Sequence, residues 1–392
     1  MSNKQILEVK NLSKLYGNEK RRAVNLKKMN KSKDEIYQQT KVTLALWDNS
    51  FEINEGEIFV IIGLSGSGKS TLVRCLNLLN KPTSGEILYK GKNINEFNQE
   101  ELRDYRRNAI SMVFQNFGLM DHRSVLGNVE YGLEVKGVPK EERTQKALEV
   151  IDMVGLKGLQ DEPISSLSGG MKQRVGIARG LANDPDILLM DEPFSALDPI
   201  VRNDMQFELL QIQRQLNKTI VFITHDINEA FKLGDKVAIM KDGEIIQIDT
   251  PQDMSANPAN DYVQQFIDGA DKTQVLTVGS IMFKPNSLIR IGDTLNFAIN
   301  QMRKNMVSSA YVLGDRTKFA GVITLEDALR AKREGLKLTD VIQQDVMTAK
   351  QEQPLADILE DASKTRVPIA VVDDENNLLG IVSKAQVLAS IS

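Results

Sequence analysis

"IFVIIGLSGSGKST", residues 58–71, reads as a short apolar strand, a glycine-rich turn and the start of a helix. Within it "GLSGSGKS", Gly63 to Ser70, fits the phosphate-binding loop pattern and sits between the predicted strand and helix, where the mechanism needs it. The glycines let backbone N–H groups close around phosphates, and the helix N-terminus adds its dipole. The candidate nucleotide contacts are therefore Gly63, Ser65, Gly66, Ser67, Gly68, Lys69, Ser70 and Thr71. Lys69 would reach the β- and γ-phosphates, and the Ser70 hydroxyl would ligate Mg²⁺.

Outward from this loop, strand-like runs recur at "AISMVFQ" (109–115), "DILLMDE" (186–192), "TIVFIT" (219–224) and "KVAIMK" (236–241). Helical stretches alternate with them, which predicts an α/β domain with a largely parallel sheet. Between the first two runs lie about 70 residues without convincing strands, so a helical insert is expected over roughly 116–184. "KDGEIIQIDTP" (241–251) reads as a turn and an edge strand, and a domain boundary is expected near residue 270. Beyond it the chain repeats itself. "GVITLEDAL" (321–329) is echoed by "GIVSKAQVL" (380–388) at a spacing of 59, and "SIM" (280–282) by "DVM" (345–347) at 65. Two α+β units, about 275–335 and 337–392, are expected to pack as a pair, serving as a ligand module or as a dimerisation spacer.

Length and composition narrow the class. The 392 residues exceed one ordinary domain, and 41% hydrophobic with 26% charged residues is globular composition. A net charge of −4 argues against nucleic acid as a partner. The single cysteine, Cys75, excludes an internal disulfide and reads as a buried small hydrophobe of a reducing compartment. With only His122 and His225 beside it, a zinc site is not expected. No apolar run approaches the ~18 residues of a membrane-spanning helix, and "MSNKQILEVK" lacks the apolar stretch of a secretory signal. The expectation is a cytoplasmic protein that meets a membrane at its surface or through a partner.

"ILLMDE" (187–192) supplies the other half of a hydrolytic site. Its apolar residues bury a strand that delivers Asp191 to the Mg²⁺ shell, and Glu192, one residue on, can polarise an attacking water. In "LSGGMKQRVGIARGLA" (167–182) the chain resembles the ATPase subunits of ABC transporters, with Met171 where the family signature carries glutamine. That resemblance implies a RecA-like core with a helical subdomain. It also implies a head-to-tail homodimer in which Ser168, Gly169 and Gly170 of one subunit close onto the γ-phosphate held by the other. Gln115 in "VFQ" resembles the residue that senses Mg²⁺ and the membrane subunit; Asp198 in "SALD" resembles an interface residue. His225 in "ITHD" resembles the switch histidine that orients Glu192, and Tyr16 in "KLYG" the ring that stacks on adenine.

Taken with "FSALDPIVR" and the trailing repeats, the chain is similar over nearly its whole length to the ATPase subunits of glycine betaine/proline betaine importers. The resemblance implies an ABC ATPase over residues 1–270, tandem CBS domains over 271–392, ATP and Mg²⁺ as cofactors, and an integral permease with a glycine-betaine-binding domain or protein at the cytoplasmic face of the cell membrane. An importer of another solute such as choline or carnitine is the neighbouring reading, and a soluble ABC ATPase acting on DNA or ribosomes the distant one. CBS pairs commonly bind an adenine nucleotide. The first repeat keeps the ligand pattern in Gly321, Thr324 and Asp327; the second has Ser383 but Gln386 where the acid should stand. That favours one asymmetric ligand, or a cyclic dinucleotide bound across a dimer.

One stretch is left over. "NEKRRAVNLKKMNKSK" (18–33) carries seven lysines and arginines against a single acid, and forms most of an insertion over 17–42. "RRAVNLKKMNK" and "DEIYQQT" predict two short helices. A charge run is ordinarily a solvated face, but here it is read as an addition to the fold in a subunit that docks beneath a membrane. Each basic residue near an anionic leaflet contributes about 1 kcal/mol, an attraction that salt screens. Arg21, Arg22, Lys27 and Lys28 are the expected contacts with anionic membrane lipid, released as internal ionic strength rises.

Overall fold

The structure is a computed structural model that describes residues 4–269, 276–315 and 317–391. The chain divides into two compact units, Met1–Gly269 and Ala270–Ser392. The junction expected near residue 270 lies outside the described residues.

The first unit runs β1 (Gln5–Tyr16), α1 (Lys20–Lys28), α2 (Lys33–Thr40), β2 (Thr43–Asn54) and β3 (Ile58–Gly63). After the phosphate loop come α3 (Lys69–Leu76), β4 (Ser84–Tyr89), β5 (Lys92–Asn93), α4 (Gln99–Asp104) and β6 (Ile110–Val113). Helices α5 (Val125–Val129), α6 (Tyr131–Val135), α7 (Lys140–Met153) and α8 (Gly169–Ala182) lead to β7 (Ile187–Asp191). Then follow α9 (Pro199–Leu216), β8 (Thr219–Thr224), α10 (Ile227–Leu233), β9 (Lys236–Lys241), β10 (Glu244–Asp249), α11 (Pro251–Ala256) and α12 (Asp261–Asp268).

Six strands form the central sheet in the order β10-β9-β3-β8-β7-β6. It is parallel from β9 to β6 and turns antiparallel only at the edge strand β10. Strands β3, β7 and β8 are buried at every residue, as a parallel sheet covered on both faces requires. A second, antiparallel sheet has the order β2-β1-β4-β5. The two share one core, in which Phe59, Ile61, Leu72, Leu189 and Val221 pack with Leu7, Val9 and Ile87. The Phe51 and Phe59 rings stack across it at 5.3 Å between centroids.

The basic insertion forms both helices, but it is not an addition hung outside the fold. Ala23 of α1 and Ile36 of α2 are fully buried with Leu15, Val42 and Leu44, against partly buried Val24, Leu26 and Trp47. Helix α2 is fixed by a capping box in which Ser32 and Glu35 satisfy each other's backbone N–H, with Oγ and Oε2 distances of 3.2 and 2.8 Å. Hydrophobic burial at two of its positions is what a charge count cannot register.

The second unit repeats one motif. After α13 (Val278–Ile281) come β11 (Leu288–Arg290), α14 (Leu295–Lys304), β12 (Ser309–Leu313), β13 (Phe319–Thr324) and α15 (Leu325–Glu334). The second copy comprises β14 (Thr348–Ala349), α16 (Leu355–Lys364), β15 (Ile369–Val372), β16 (Leu378–Val382) and α17 (Lys384–Ile391). Each three-stranded sheet has a parallel then an antiparallel pair. Val312 faces Gly321 in the first and Val371 faces Gly380 in the second, the same 59-residue offset as in the sequence. The lead-in segments, however, are exchanged. Val278 is buried in the second repeat's core with Ala349, Leu355 and Val382, and Phe283 bridges Ile381. Leu338 packs instead in the first repeat's core, and Gln343 bridges Val322. The two repeats are further joined through Tyr311, Phe319, Ala370, Val372 and Ile381.

If the insertion is packed as described, the substitution I36A should remove about 2–5 kcal/mol of local packing. Limited proteolysis of the folded chain should then cut faster within residues 17–42 and nowhere else. Cleavage there at the parent rate would contradict the packed hairpin.

Candidate functional site

Strand β3 ends at Gly63, in register with Met240 of β9, and the loop that follows is locked by its surroundings. Gly68 adopts φ +106°, and a Cβ there would come within 2.5 Å of the Ala45 carbonyl, so only glycine fits. The Gly243 N–H donates to Ser67 O at 2.9 Å, tying the loop to the β9–β10 turn. Lys69 opens α3 and is buried; its Nζ donates to Gly63 O at 2.7 Å and Leu64 O at 3.2 Å. Burial lowers the Lys69 pKa, while the charges of Glu192 and Asp191 pull it back up. Ser65 and Gly66 are exposed on the open side of the loop.

Ser70 Oγ donates to Asp191 Oδ1 at 2.9 Å, joining α3 to the carboxyl end of β7. Arg74 holds the other oxygen, Oδ2, at 3.4 Å. A hydroxyl and a buried carboxylate converging from two elements are hard oxygen donors, the set that suits Mg²⁺. Among the described residues no group of three His, Cys, Asp or Glu side chains could hold a metal alone. The pair therefore fits an ion whose remaining ligands are phosphate oxygens and water, as Mg²⁺ is usually held.

Glu192 stands at the end of β7 with φ +46°, a left-handed conformation that costs a non-glycine residue of order 1–3 kcal/mol. The turn aims its carboxylate away from the sheet: Oε2 lies 3.2 Å from His225 Nδ1 and accepts from Gln115 Nε2 at 3.3 Å. The three side chains come from the ends of three neighbouring strands, β6, β7 and β8. His225 is 60% exposed, whereas Glu192 is 19%. Such a carboxylate can accept a proton from water while the imidazole and amide hold it in place. Tyr16 ends β1, 40% exposed, with Lys14 Nζ 4.6 Å from its ring centroid. Burial raises its pKa, and the Thr71 hydroxyl opposes that rise.

The signature does not join this cluster. Ser168 caps α8, accepting from Met171 N at 3.3 Å, and Gly169 and Gly170 pack beside the start of α9. A Cβ on Gly170 would come within 2.7 Å of Val201 Cγ1. Asp198 caps α9, accepting from Val201 N at 3.1 Å. In the second unit, Thr324 Oγ1 caps α15 and donates to Asp327 Oδ2 at 2.8 Å; Gln343 and Arg330 also hold that carboxylate, at 2.8 and 2.9 Å. Gln386 mimics the missing acid, its Oε1 accepting from Ser383 Oγ at 2.9 Å, but it brings no charge.

The four insertion residues are not equivalent. Arg21, Arg22 and Lys28 are exposed, and Arg22 pairs with Glu19 at 3.1 Å. Lys27 is the one of the four that forms an ion pair with a strand, with the half-buried Glu244 of the edge strand β10, so its charge is already partnered.

Several contributors escape the sequence reading. Ser195 donates to Glu192 O at 3.0 Å and lies 3.5 Å from Gln115 Nε2. Behind His225, buried Glu229 receives Thr224 Oγ1 at 2.6 Å and Gln206 Nε2 at 3.1 Å, with Arg202 3.7 Å away. Burial raises the Glu229 pKa. This network ties the strand before the histidine to the helix after Asp198. Two of these had a local signal: Arg74 lies four residues, one helical turn, after Ser70, and Ser195 opens the "SALD" stretch.

Comparison with known proteins adds the frame. A family model for ABC transporters matches residues 46–195, and one for the CBS domain matches 278–334 and 338–392. The glycine betaine transport ATP-binding protein OpuAA of Bacillus subtilis (strain 168) is 46% identical over 98% of this chain and 92% of its own length. The glycine betaine/carnitine transport ATP-binding protein GbuA of Listeria monocytogenes serotype 1/2a (strain 10403S) is 45% identical over 98% of this chain and 97% of its own. The glycine betaine/proline betaine transport system ATP-binding protein ProV of Escherichia coli (strain K12) is 42% identical over the same shares. Among solved structures, the dimeric post-hydrolysis state of an ATP-binding cassette bound to ADP and Pi is 34% identical, covering 63% of this chain and 99% of its own, with a TM-score of 0.54. The chain belongs to the family of ABC transporter ATP-binding proteins that includes the glycine betaine and proline betaine transport systems, and it carries their C-terminal pair of CBS domains.

Proposed function

We propose that the chain hydrolyses ATP to drive import of glycine betaine, or a closely related quaternary amine, during osmotic stress. The observation that carries this reading is the meeting of Lys69, Ser70, Asp191, Gln115, Glu192 and His225 at one end of a parallel sheet, in a chain whose full-length relatives are betaine transport ATPases. The loop N–H groups of residues 63–71 receive the phosphates, Lys69 leaves the Gly63 and Leu64 carbonyls for the β- and γ-oxygens, and Tyr16 stacks on the adenine. Ser70, Asp191 and Gln115 would hold Mg²⁺, which would supply neutralisation of the negative charge that develops on the phosphates. Glu192, aligned by His225 and Gln115, takes the proton of the attacking water.

Ser168 caps α8 while Gly169 and Gly170 neighbour Leu197 and Val201, and none of the three bonds to the phosphate loop among the described contacts, which supports their acting on a second subunit's γ-phosphate in a homodimer, with Asp198 at the interface. The dimer binds an integral permease, with its glycine-betaine-binding domain or protein, at the cytoplasmic face of the membrane. Arg21, Arg22 and Lys28 hold the complex inactive on anionic lipid until internal salt screens them, because exposed charges lose most of their attraction beyond a Debye length. The CBS pair adds a second control, binding an adenine nucleotide or cyclic dinucleotide at Thr324, Asp327 and Ser383.

Three measurements test these roles. E192Q should lower the ATPase rate about 10²- to 10⁴-fold while ATP still binds; an undiminished rate would remove Glu192 as the base. In vesicles containing the permease, ATP-driven glycine betaine uptake should switch on with internal salt, at a threshold that rises with anionic lipid and disappears when Arg21, Arg22 and Lys28 become glutamine. Uptake indifferent to salt would remove the sensor, and no uptake of any betaine would remove the substrate. In a K69A background, AMP, ATP and a cyclic adenine dinucleotide should be titrated against the full chain. One of them should bind, and D327A should weaken it about tenfold or more, since a charged hydrogen-bond partner is lost; no binding by any would leave the CBS pair a structural module.

A further inference from the structure

The basic insertion touches the phosphate loop itself. Lys33, the first residue of α2, is half-buried, and its Nζ donates to Gly66 O at 3.2 Å. Gly66 lies in the middle of the loop, three residues before Lys69. Among the described residues no carboxylate pairs with Lys33, whereas its neighbours Lys27 and Lys31 are neutralised by Glu244 and Glu35. Two lysines therefore rest on carbonyls of one loop, Lys69 on Gly63 and Leu64, and Lys33 on Gly66.

The placement of Lys33 is built rather than incidental. Ile36, one helical turn on, is fully buried in the hairpin's core, and residues three apart on a helix share a face. Burying Ile36 thus turns Lys33 inward. The Ser32–Glu35 capping box fixes the start of the helix, and the Lys31 ammonium together with those hydrogen bonds holds the Glu35 carboxyl at about 2, so the cap stays charged and closed. A carbonyl is a neutral acceptor. A hydrogen bond between two charged groups is shorter and roughly twice as strong, so an ammonium waiting on a carbonyl will move to a phosphate oxygen within reach of its flexible stem.

We propose that Lys33 is an ATP-binding residue supplied by the insertion, a second cation that meets the polyphosphate from the Gly66 carbonyl, beside the helix α3 lysine that rests on Gly63 and Leu64. The inference rests on the reading that ATP's phosphates occupy residues 63–70. It makes the insertion part of the nucleotide site as well as a basic surface, and it makes this part of ATP affinity sensitive to ionic strength.

The test uses the full-length chain in an E192Q background, with Mg²⁺ and ATP titrated by calorimetry at low salt and at about 0.5 M KCl, where the Debye length is well under 8 Å. K33A should weaken ATP binding about three- to tenfold at low salt. K33R should keep the parent affinity, and the difference between K33A and parent should shrink at high salt. With Glu192 restored, the loss should fall on KM rather than kcat. Thermal unfolding without nucleotide should match the parent. Parent-like affinity of K33A at low salt would overturn the proposal. So would a loss that is equal at both salts or that arginine does not restore, since either means packing rather than charge. K69A separates the two readings: if it too leaves ATP binding intact, the phosphate-loop assignment fails, whereas loss in K69A with none in K33A removes only Lys33.

Discussion

The hydrogen bond from Ser70 Oγ to Asp191 Oδ1 joins the first turn of α3 to the last residue of β7, and the whole site is arranged about that junction. It can form only because β3 and β7 lie on either side of β8 in one parallel sheet and end at the same level. With Asp191 so placed, the next residue must leave the sheet, and the left-handed turn at Glu192 swings its carboxylate between Gln115 and His225. A sheet with all its carboxyl ends on one edge gathers, by geometry alone, chemistry dispersed over more than 150 residues of chain.

A site gathered on one edge can be altered from that edge, and the insertion is positioned to do so. It leaves β1 directly after Tyr16 and returns as β2, which runs along β1 and reaches the loop through the Ala45 carbonyl beside Gly68. Glu244 on β10 receives Lys27, and Gly243 in the adjoining turn donates to Ser67. The hairpin and the phosphate loop thus share neighbours in β2 and the β9–β10 turn. Behind His225, the Thr224–Glu229–Gln206 network links that residue to the helix beginning at Asp198.

In the second unit the repeat symmetry carries a built-in asymmetry. The offset of 59 residues persists in strand pairing, yet Asp327 is held by three side chains while its counterpart Gln386 is neutral and, among the described residues, bonds to Ser383 of its own turn. Gly321, at φ +136° with the Gln343 carbonyl where a Cβ would stand, lets the exchanged lead-in of the second repeat cross the last strand of the first. The two repeats therefore match in backbone and differ in charge at corresponding positions.

Local chemistry made much of this legible before any coordinates. The loop glycines, the apolar run that ends in Asp191, the capped signature helix and the two helices of the insertion are each encoded within about a dozen contiguous residues, where periodicity and capping act. Partnership across the chain is encoded nowhere locally. Lys27 reads as one more positive charge until β10 brings Glu244 to it; Lys33 is indistinguishable from its neighbours until the burial of Ile36 aims it at Gly66; Ser195 opens the "SALD" stretch without any local sign of its contacts with Glu192 and Gln115, and Glu229 stands in no motif at all. The CBS lead-ins show the same division, since the sequence repeats in order and gives no sign of the exchange. Residue types and short-range spacing determined which chemistry the chain can perform. Burial and strand order, which depend on contacts between distant segments, decided which charges are paired and which rest on neutral carbonyls.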